Sequence, residues 1–338
     1  MGFTSGRRTQ TKVAVPKPKS PGEIRVCVDM RRANQAIKRE RHITPTINEI
    51  IHDLNGACIF SKLDLNQGYN QLELDESSRY ITTFFSHLGL WRYKRLSFGI
   101  NSAAEVFQNA IRVALSDLKG VCNISDDILV YGRTPDEHNT NLRICFQRIK
   151  DKGLTLNKTK CVFSKSSLDF LGHTFTEGGM RVDPKKVEAV VNLSNPSNQT
   201  EIRSLLGMTN FFSRFIPRYA TITEPLRLLT HKQSKWQWST QHDQAFDQLR
   251  KALSSAPTLV YFDETKTTSL FVDASPVGLA AILTQSAGKD HAHQTVSYAS
   301  RALTAVEQRY SQTECEALAV ILACEHFHVY VFTFSENP

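Results

Sequence analysis

The sequence contains no Cys-x-x-Cys pair, although it has seven cysteines. Their number is odd, and they are scattered from Cys27 to Cys324. Disulfide frameworks and zinc knuckles need paired or closely spaced cysteines, so neither is indicated. We expect buried thiols in a reducing compartment.

Long hydrophobic runs are also missing. The longest apolar stretch, near 317–324, is far shorter than the roughly 20 residues that span a bilayer. The first six residues hold no apolar signal core, and Gly6 stands where a myristoylation signal has Ser or Thr. We therefore expect no membrane association and an intracellular protein, either cytoplasmic or nuclear.

Acidic residues are scarce in the first 50 positions, which hold 4 Asp or Glu against 11 Lys or Arg. This segment therefore carries +7 of the formal net charge of +8. An excess concentrated at one end favours an anionic partner, and nucleic acid in particular, over a merely solvated basic surface. The whole chain is of ordinary globular composition, with 41% hydrophobic residues, and its 338 residues allow two or three domains.

Periodic apolar residues predict the main helices, and β-branched runs predict the strands. We expect a hairpin over 13–29 with a Pro- and Gly-rich loop. Helices are predicted over 44–54, 138–152, 201–214 and 241–254, the third of them capped by Thr200. Near the end of the chain, three strands over 269–300 precede a helix.

Two adjacent carboxylates, Asp126 and Asp127, precede a segment that is typical of a strand. A third acid, Asp64, lies in another short apolar segment. Such a set suits two divalent ions roughly 3.5–4 Å apart, because carboxylates supply both negative charge and hard oxygen ligands. An ordinary hairpin turn is the alternative, since Ser-Asp-Asp is common turn chemistry.

Three motifs follow one another around these acids. They are Leu63-Asp64-Leu65 with Gly68-Tyr69, Phe98-Gly99-Ile100 with Phe107-Gln108, and Ser125-Asp126-Asp127-Ile128-Leu129. In order and spacing they resemble successive motifs of reverse transcriptases, and most closely those of the gypsy-like LTR retrotransposons. The resemblance runs from about Val13 to Phe332.

The resemblance implies an α+β fold class: a right-hand polymerase with fingers, palm and thumb, followed by a partial RNase H-like α/β domain. The implied boundaries are 1–12 for an unassigned basic tail, 13–180 for fingers and palm, 181–262 for thumb and connection, and 263–338 for the RNase H-like domain. Against the family pattern, the fingers are truncated at the N-terminal side and the RNase H-like domain at the C-terminal side.

For the polymerase site, the resemblance implies a two-metal centre. Asp64, Asp126 and the backbone carbonyl of Leu65 would hold two Mg²⁺ ions, for which Mn²⁺ could substitute. Asp127 would be a weaker ligand or a positioning group. Lys160 matches a lysine proposed to protonate the leaving pyrophosphate, and an exposed lysine without that role is the alternative.

Nucleotide contacts are implied on the fingers hairpin and beside the palm. Arg25 and either Lys17 or Lys19 would hold the triphosphate, the arginine bidentately and the lysine as a point charge. Tyr69 would leave no room for a 2′-hydroxyl and so select deoxynucleotides. The alternative is a core aromatic at the end of a strand.

The second motif is similar to the loop and helix that pack under the templating base pair, which places Phe98 and Gln108 at the nucleotide. Two departures from the family pattern lie nearby. Ala104 replaces a proline, a change that suits a helix start. Ile124 and Ser125 precede the acid pair where relatives often have an aromatic and a bulky apolar residue, which bears on fidelity or rate.

Towards the end of the chain, Asp273 and Glu316 match the first two metal-binding carboxylates of RNase H. The third is expected on a strand that follows the stretch 326–331, and Glu336 is the one acid after that stretch. We therefore expect no RNase H activity from this chain.

The implied function is RNA-directed DNA polymerisation, by two-metal nucleotidyl transfer onto a primer 3′-hydroxyl. Its partners would be an RNA or DNA template with its primer, and deoxynucleoside triphosphates; the oligomeric state stays open. Two alternatives remain. One is a decayed or co-opted element copy that only binds nucleic acid, and the other is an RNase H-type nuclease.

Overall fold

The computed structural model describes residues 12–16, 24–38, 47–231, 234–288 and 291–331. The chain forms two compact units, one of Met1–Asp53 with Ala57–Lys165 and the other of Leu54–Gly56 with Ser166–Pro338. Lys17, Lys19 and Glu336 lie outside the described residues. Arg25 belongs to a described strand, but its side chain lies outside the described part.

The first unit is built from strands β1 to β8 and helices α1 to α3. In chain order these are β1 (Lys12–Pro16), β2 (Ile24–Val28), α1 (Ile47–Asp53), β3 (Ile59–Asp64), β4 (Phe84–Ser86), β5 (Gly89–Trp91), α2 (Ala103–Leu115), β6 (Val121–Ile124), β7 (Asp127–Gly132), α3 (Pro135–Asp151) and β8 (Val162–Lys165). β1 pairs with β2 and β4 with β5, each as an antiparallel hairpin.

The centre of this unit is an antiparallel sheet with the strand order β6-β7-β3-β8. Ile128, Leu129 and Val130 are consecutive and fully buried, so both faces of β7 are covered. On α2, Phe107 and Ile111 are four residues apart and therefore share a helix face. Both pack into one core with Ile128 and Val130, which fixes the helix against the sheet.

The second unit contains strands β9 to β14 and helices α4 to α10. In chain order these are β9 (Ser167–Phe170), β10 (His173–Thr176), β11 (Gly179–Val182), α4 (Pro184–Val191), α5 (Gln199–Asn210), α6 (Tyr219–Ile222), α7 (Glu224–Leu228), α8 (Thr240–Ser254), β12 (Thr267–Ser275), β13 (Gly278–Ser286), β14 (Gln294–Ala302), α9 (Gln312–His326) and α10 (His328–Val331). β9 to β11 form one antiparallel sheet and β12 to β14 another.

The sheet of β12 to β14 is central to the second unit's core. All but one of the nine residues of β13 are buried. Leu279 on β13 packs with Cys315 and Ala319 of α9. Further along the same helix, Ala323 joins a core that contains Ala281. Strand, strand, strand and helix therefore follow in the predicted order.

The mixed α+β class is confirmed, and several element ends differ from prediction for identifiable reasons. α3 begins at Pro135, because proline suits the first helical position and Thr134 Oγ1 caps the helix by accepting from Glu137 N–H. Asn198, and not Thr200, caps α5: its side chain accepts from the backbone N–H groups of Thr200 and Glu201.

The first unit ends at Lys165, within the segment 13–180 that is predicted to form the fingers and palm. The strands β9 and β10 belong to the second unit together with the helices α4 to α8. The predicted domain boundaries stay predictions. Within the described part of the chain, no helix has the length and apolar character needed to cross a membrane.

Gly68 shows how closely the first unit is packed around the acids. A Cβ atom at this position would lie 2.7 Å from Phe107 Cζ and 3.4 Å from Asp126 Cβ. Phe107 is completely buried and belongs to the core of the unit. Only glycine therefore fits here without displacing a core ring or the hairpin that carries Asp126.

We expect Gly68→Ala to lower the free energy of unfolding by about 1–3 kcal/mol, because it overpacks a full core. The matched control is Gly207→Ala, on α5, where a Cβ meets no atom within 4 Å. There alanine is expected to stabilise the helix by up to about 1 kcal/mol. Urea unfolding followed by circular dichroism measures both. A Gly68→Ala protein as stable as the parent would mean that the Phe107 ring can move aside to make room for the added Cβ atom.

Candidate polymerase site

The strands β3 and β7 bring the three predicted acids to one edge of the central sheet. Asp64, the last residue of β3, lies opposite Asp127, the first residue of β7. The carbonyl oxygen of Asp126 accepts a hydrogen bond from Leu65 N–H at 2.9 Å. The hairpin turn and the end of the central strand thus meet, although the residues are far apart in sequence.

The hairpin turn between β6 and β7 is fixed by Gln108. This side chain is 3% exposed. Its Oε1 accepts from Ser125 N–H at 2.5 Å, and its Nε2 donates to the carbonyl oxygen of Asn123 at 3.1 Å. Ser125 has a positive φ of 56°, which is uncommon for a residue other than glycine. The amide of Gln108 is therefore occupied inside the protein, where it positions the hairpin. Its predicted nucleotide contact stays a prediction.

Two lysines face the acids. Lys62 Nζ lies 2.7 Å from Asp127 Oδ2, and Lys160 Nζ lies 3.6 Å from Asp64 Oδ2. The resemblance implied a role for Lys160, which stays a prediction, but none for Lys62. Its signal was its spacing, since Lys62 and Asp64 are two residues apart and share one face of a strand.

The electrostatics of Asp127 follow from its position between one cation and two anions. Burial is the largest effect and raises the pKa of the Asp127 carboxyl group. The hydrogen bond and charge of Lys62 lower it, while repulsion from Asp126 and Asp64 raises it again. The net change in the pKa is upward, with the charge of Lys62 opposing the effect of burial.

The backbone around Leu65 is held on both sides. The carbonyl oxygen of Asp64 accepts from Asn157 N–H at 2.8 Å, and Asn66 N–H donates to the carbonyl oxygen of Thr155 at 2.9 Å. This attachment also places the turn that leads to Lys160. Lys160, which is predicted to protonate the leaving pyrophosphate, is therefore anchored to the end of β3 by main-chain hydrogen bonds. Its side chain is exposed.

The donor chemistry of the site fits hard divalent ions. The three acids supply carboxylate oxygens, the ligand type that Mg²⁺ prefers in proteins. In the described residues, however, no three Asp, Glu, His or Cys side chains are arranged so that they could hold a metal ion. Asp64 and Asp127 are turned towards lysine ammonium groups instead.

Tyr69 lies directly beside the acids. Its ring centroid is 4.9 Å from that of Phe98 and 5.3 Å from that of Phe107, the latter edge to face. Burial raises the pKa of the Tyr69 hydroxyl group, and the charge of Asp126 raises it further. Tyr69 thus packs against the core, as expected if it is a core aromatic at the end of a strand. It also lies close enough to Asp126 for the charge of that residue to raise its pKa. Phe98, which is predicted to lie at the nucleotide, contacts the ring of Tyr69.

The two RNase H-like acids lie on neighbouring elements of the second unit. Asp273 is on β12, and its Oδ2 lies 3.0 Å from Arg218 Nε. Glu316 is on α9, and its Oε1 accepts from Gln312 Nε2 at 3.2 Å. The same Gln312 amide group donates to the carbonyl oxygen of Ala274 at 3.3 Å. Both acids therefore have protein partners.

Comparison with known families identifies both parts of the chain. A model described as reverse transcriptase (RNA-dependent DNA polymerase) matches residues 15–175. A second, described as an RNase H-like domain found in reverse transcriptase, matches residues 238–336.

Curated relatives include the Tf2-3 and Tf2-7 transposon polyproteins of Schizosaccharomyces pombe. Each is 30% identical to the chain over 317 residues, which is 93% of the chain and 24% of the relative. The chain thus spans about a quarter of the length of these relatives.

Solved structures of foamy viral protease-reverse transcriptase share the fold. One, the dRH form in complex with double-stranded DNA, has a TM-score of 0.87 at 22% identity and covers 98% of this chain and 58% of its own. Another, in complex with an RNA/DNA hybrid, has a TM-score of 0.83 at 22% identity and covers 96% and 44%. The predicted fold, a right-hand polymerase joined to an RNase H-like region, is thereby confirmed. The chain belongs to the reverse transcriptase family, and its curated relatives are transposon polyproteins.

Proposed function

We propose that this chain is an RNA-directed DNA polymerase that transfers a deoxynucleotide to a primer 3′-hydroxyl group. The observation that carries this proposal is the register of β3 and β7, which sets Asp64 opposite Asp127 with Asp126 in the adjoining turn. Three acids at the end of a buried strand pair suit phosphoryl-transfer chemistry better than they suit fold stability, because like charges held together repel.

Two divalent ions, when bound, would polarise the primer hydroxyl group and neutralise charge on the phosphates. In this proposal, Asp64 and Asp126 hold them together with the Leu65 carbonyl oxygen. Asp126 is exposed and carries no ion pair among the described residues. It is therefore the acid that can turn towards an ion at the least cost.

The remaining chemistry falls to lysine and arginine side chains. Lys160 is assigned the delivery of a proton to the leaving pyrophosphate, because its ammonium group lies at the edge of the acid cluster. Arg25 and one of Lys17 and Lys19 are assigned to the triphosphate on the resemblance alone.

The partners follow from the fold and the charge. The foamy viral proteins were solved in complex with double-stranded DNA and with an RNA/DNA hybrid, and the net charge of +8 suits such polyanions. We therefore propose a template–primer duplex and deoxynucleoside triphosphates as substrates. A chain that binds the duplex without extending the primer is the alternative.

Asp126→Asn keeps the volume of the side chain but removes a charge needed to hold a divalent ion. We expect primer extension to fall by at least about 100-fold, while salt-dependent duplex binding stays nearly intact. Asp136→Asn, the same change at an exposed position in the first turn of α3, should leave extension unaffected. Equal extension by Asp126→Asn and the parent would exclude the assignment, and absence of extension in both would favour the nucleic-acid binder.

Tyr69→Ala should admit ribonucleotides if the ring fills the space of a 2′-hydroxyl group. We expect incorporation of GTP relative to dGTP to rise roughly 10- to 100-fold. Tyr69→Phe is the matched control, since it keeps the ring and should keep the discrimination. Competition between the two nucleotides in the extension assay measures the preference of both variants. An unchanged preference in Tyr69→Ala would mean that Tyr69 serves only in core packing.

The second unit is not expected to cleave RNA. Two-metal hydrolysis needs several carboxylates to hold the ions and orient water, whereas the resemblance supplies two, Asp273 and Glu316, and Glu336 lies outside the described residues. A labelled RNA–DNA hybrid incubated with Mg²⁺ or Mn²⁺ should remain intact. Cleavage that is lost in Asp273→Asn would contradict this expectation and support the nuclease alternative.

A further inference from the structure

We propose that Lys62 is a positioning residue of the polymerase site: its ammonium group holds the Asp127 carboxylate and keeps it out of the set that binds divalent ions. This inference rests on the proposed function, since it specifies which acids are left for the ions. It concerns an internal lysine that none of the motifs singled out.

The strand register explains why Lys62 can reach Asp127. On β7, Leu129 lies opposite Lys62 and Asp127 lies opposite Asp64. Asp127 is therefore the diagonal neighbour of Lys62, roughly 7–8 Å away between Cα atoms, a separation that a long side chain spans. The Nζ–Oδ2 distance of 2.7 Å shows that it does.

The pair is also more enclosed than a surface ion pair. Lys62 lies on β3, which has β7 on one side and β8 on the other. The side chains of Lys62 and Asp127 are 23% and 21% exposed. Removal of either partner would leave the other charge poorly solvated and without its main counter-ion, which is costly in a partly buried site.

Lys160 provides the contrast. Its side chain is 64% exposed, and its Nζ lies 3.6 Å from Asp64 Oδ2. Solvent and salt screen such a contact strongly, so its net contribution is small. Lys160 can therefore leave Asp64 at little cost when an ion or substrate arrives, whereas Lys62 stays with Asp127.

This difference divides the three acids into two groups. Asp64 and Asp126 remain available to divalent ions, while Asp127 is neutralised by a cation that belongs to the protein. Loss of the Lys62 charge would then have two opposite effects. Divalent ions would bind more tightly, because the site becomes more negative and gains a third free carboxylate. Primer extension would slow, because the ions would be drawn towards Asp127.

The test is Mn²⁺ binding to the nucleic-acid-free protein, read from the electron paramagnetic resonance signal of free Mn²⁺. We expect Lys62→Met to bind Mn²⁺ about tenfold more tightly, and Lys62→Arg, which keeps the charge, to match the parent. Lys165→Met is the matched control, since this exposed lysine lies on β8 of the same sheet opposite Phe60. Unchanged or weaker Mn²⁺ binding by Lys62→Met would overturn the proposal.

Thermal unfolding in EDTA tests the pair without any metal. Lys62→Met and Asp127→Asn should each lower the melting temperature, and the double variant should be clearly more stable than the sum of the single effects predicts. Additive effects would overturn the proposal. These results also separate failure of this proposal from failure of the proposed polymerase function. If the polymerase function were wrong, Asp126→Asn would bind Mn²⁺ as tightly as the parent, while the coupling between Lys62 and Asp127 would persist.

Discussion

The antiparallel pairing of β3 with β7 is the constraint on which the polymerase site depends. It places the last residue of one strand, Asp64, opposite the first residue of the other, Asp127. A shift of one residue would turn every side chain of a strand to the opposite face. The fully buried residues of both strands, such as Leu63 and Ile128, resist such a shift because their burial fixes the register. Core packing thus sets the relative positions of the acids.

The same pairing brings three carboxylates together, which repel one another, and lysine side chains of the protein neutralise part of this charge. Lys62 and Lys160 neutralise two of the three acids, one firmly and one loosely. Folding in the absence of metal is therefore possible without an uncompensated cluster of carboxylates. In the second unit, Arg218 and Asp273 show a comparable pairing of an acid with a basic side chain.

Local patterns predicted much of this arrangement. The acids were singled out because two adjacent carboxylates before a strand and a third on another strand suit divalent ions. The helices were predicted because apolar residues recur every three to four positions. Contacts made across long sequence separations were not predictable. Gln108 bonds to Asn123 and Ser125, and the role of Lys62 depends on which strand lies beside β3. Neither contact can be read from neighbouring residues. The bonds of Gln108 follow from the position of α2 beside the hairpin. The spacing of Lys62 and Asp64 places both on one strand face, but the partner of Lys62 follows from strand order and register.

The clamp of Gln108 on the hairpin has a consequence for how this site can change. Its two hydrogen bonds reach only main-chain atoms, the N–H of Ser125 and the carbonyl oxygen of Asn123. The turn is therefore held without any bond to the side chains of residues 124 and 125. Their polarity can therefore vary while the turn keeps its shape, but the positive φ of residue 125 disfavours bulky and β-branched side chains there. Evolution can thus alter the surface beside the acids without rebuilding the structure that presents them.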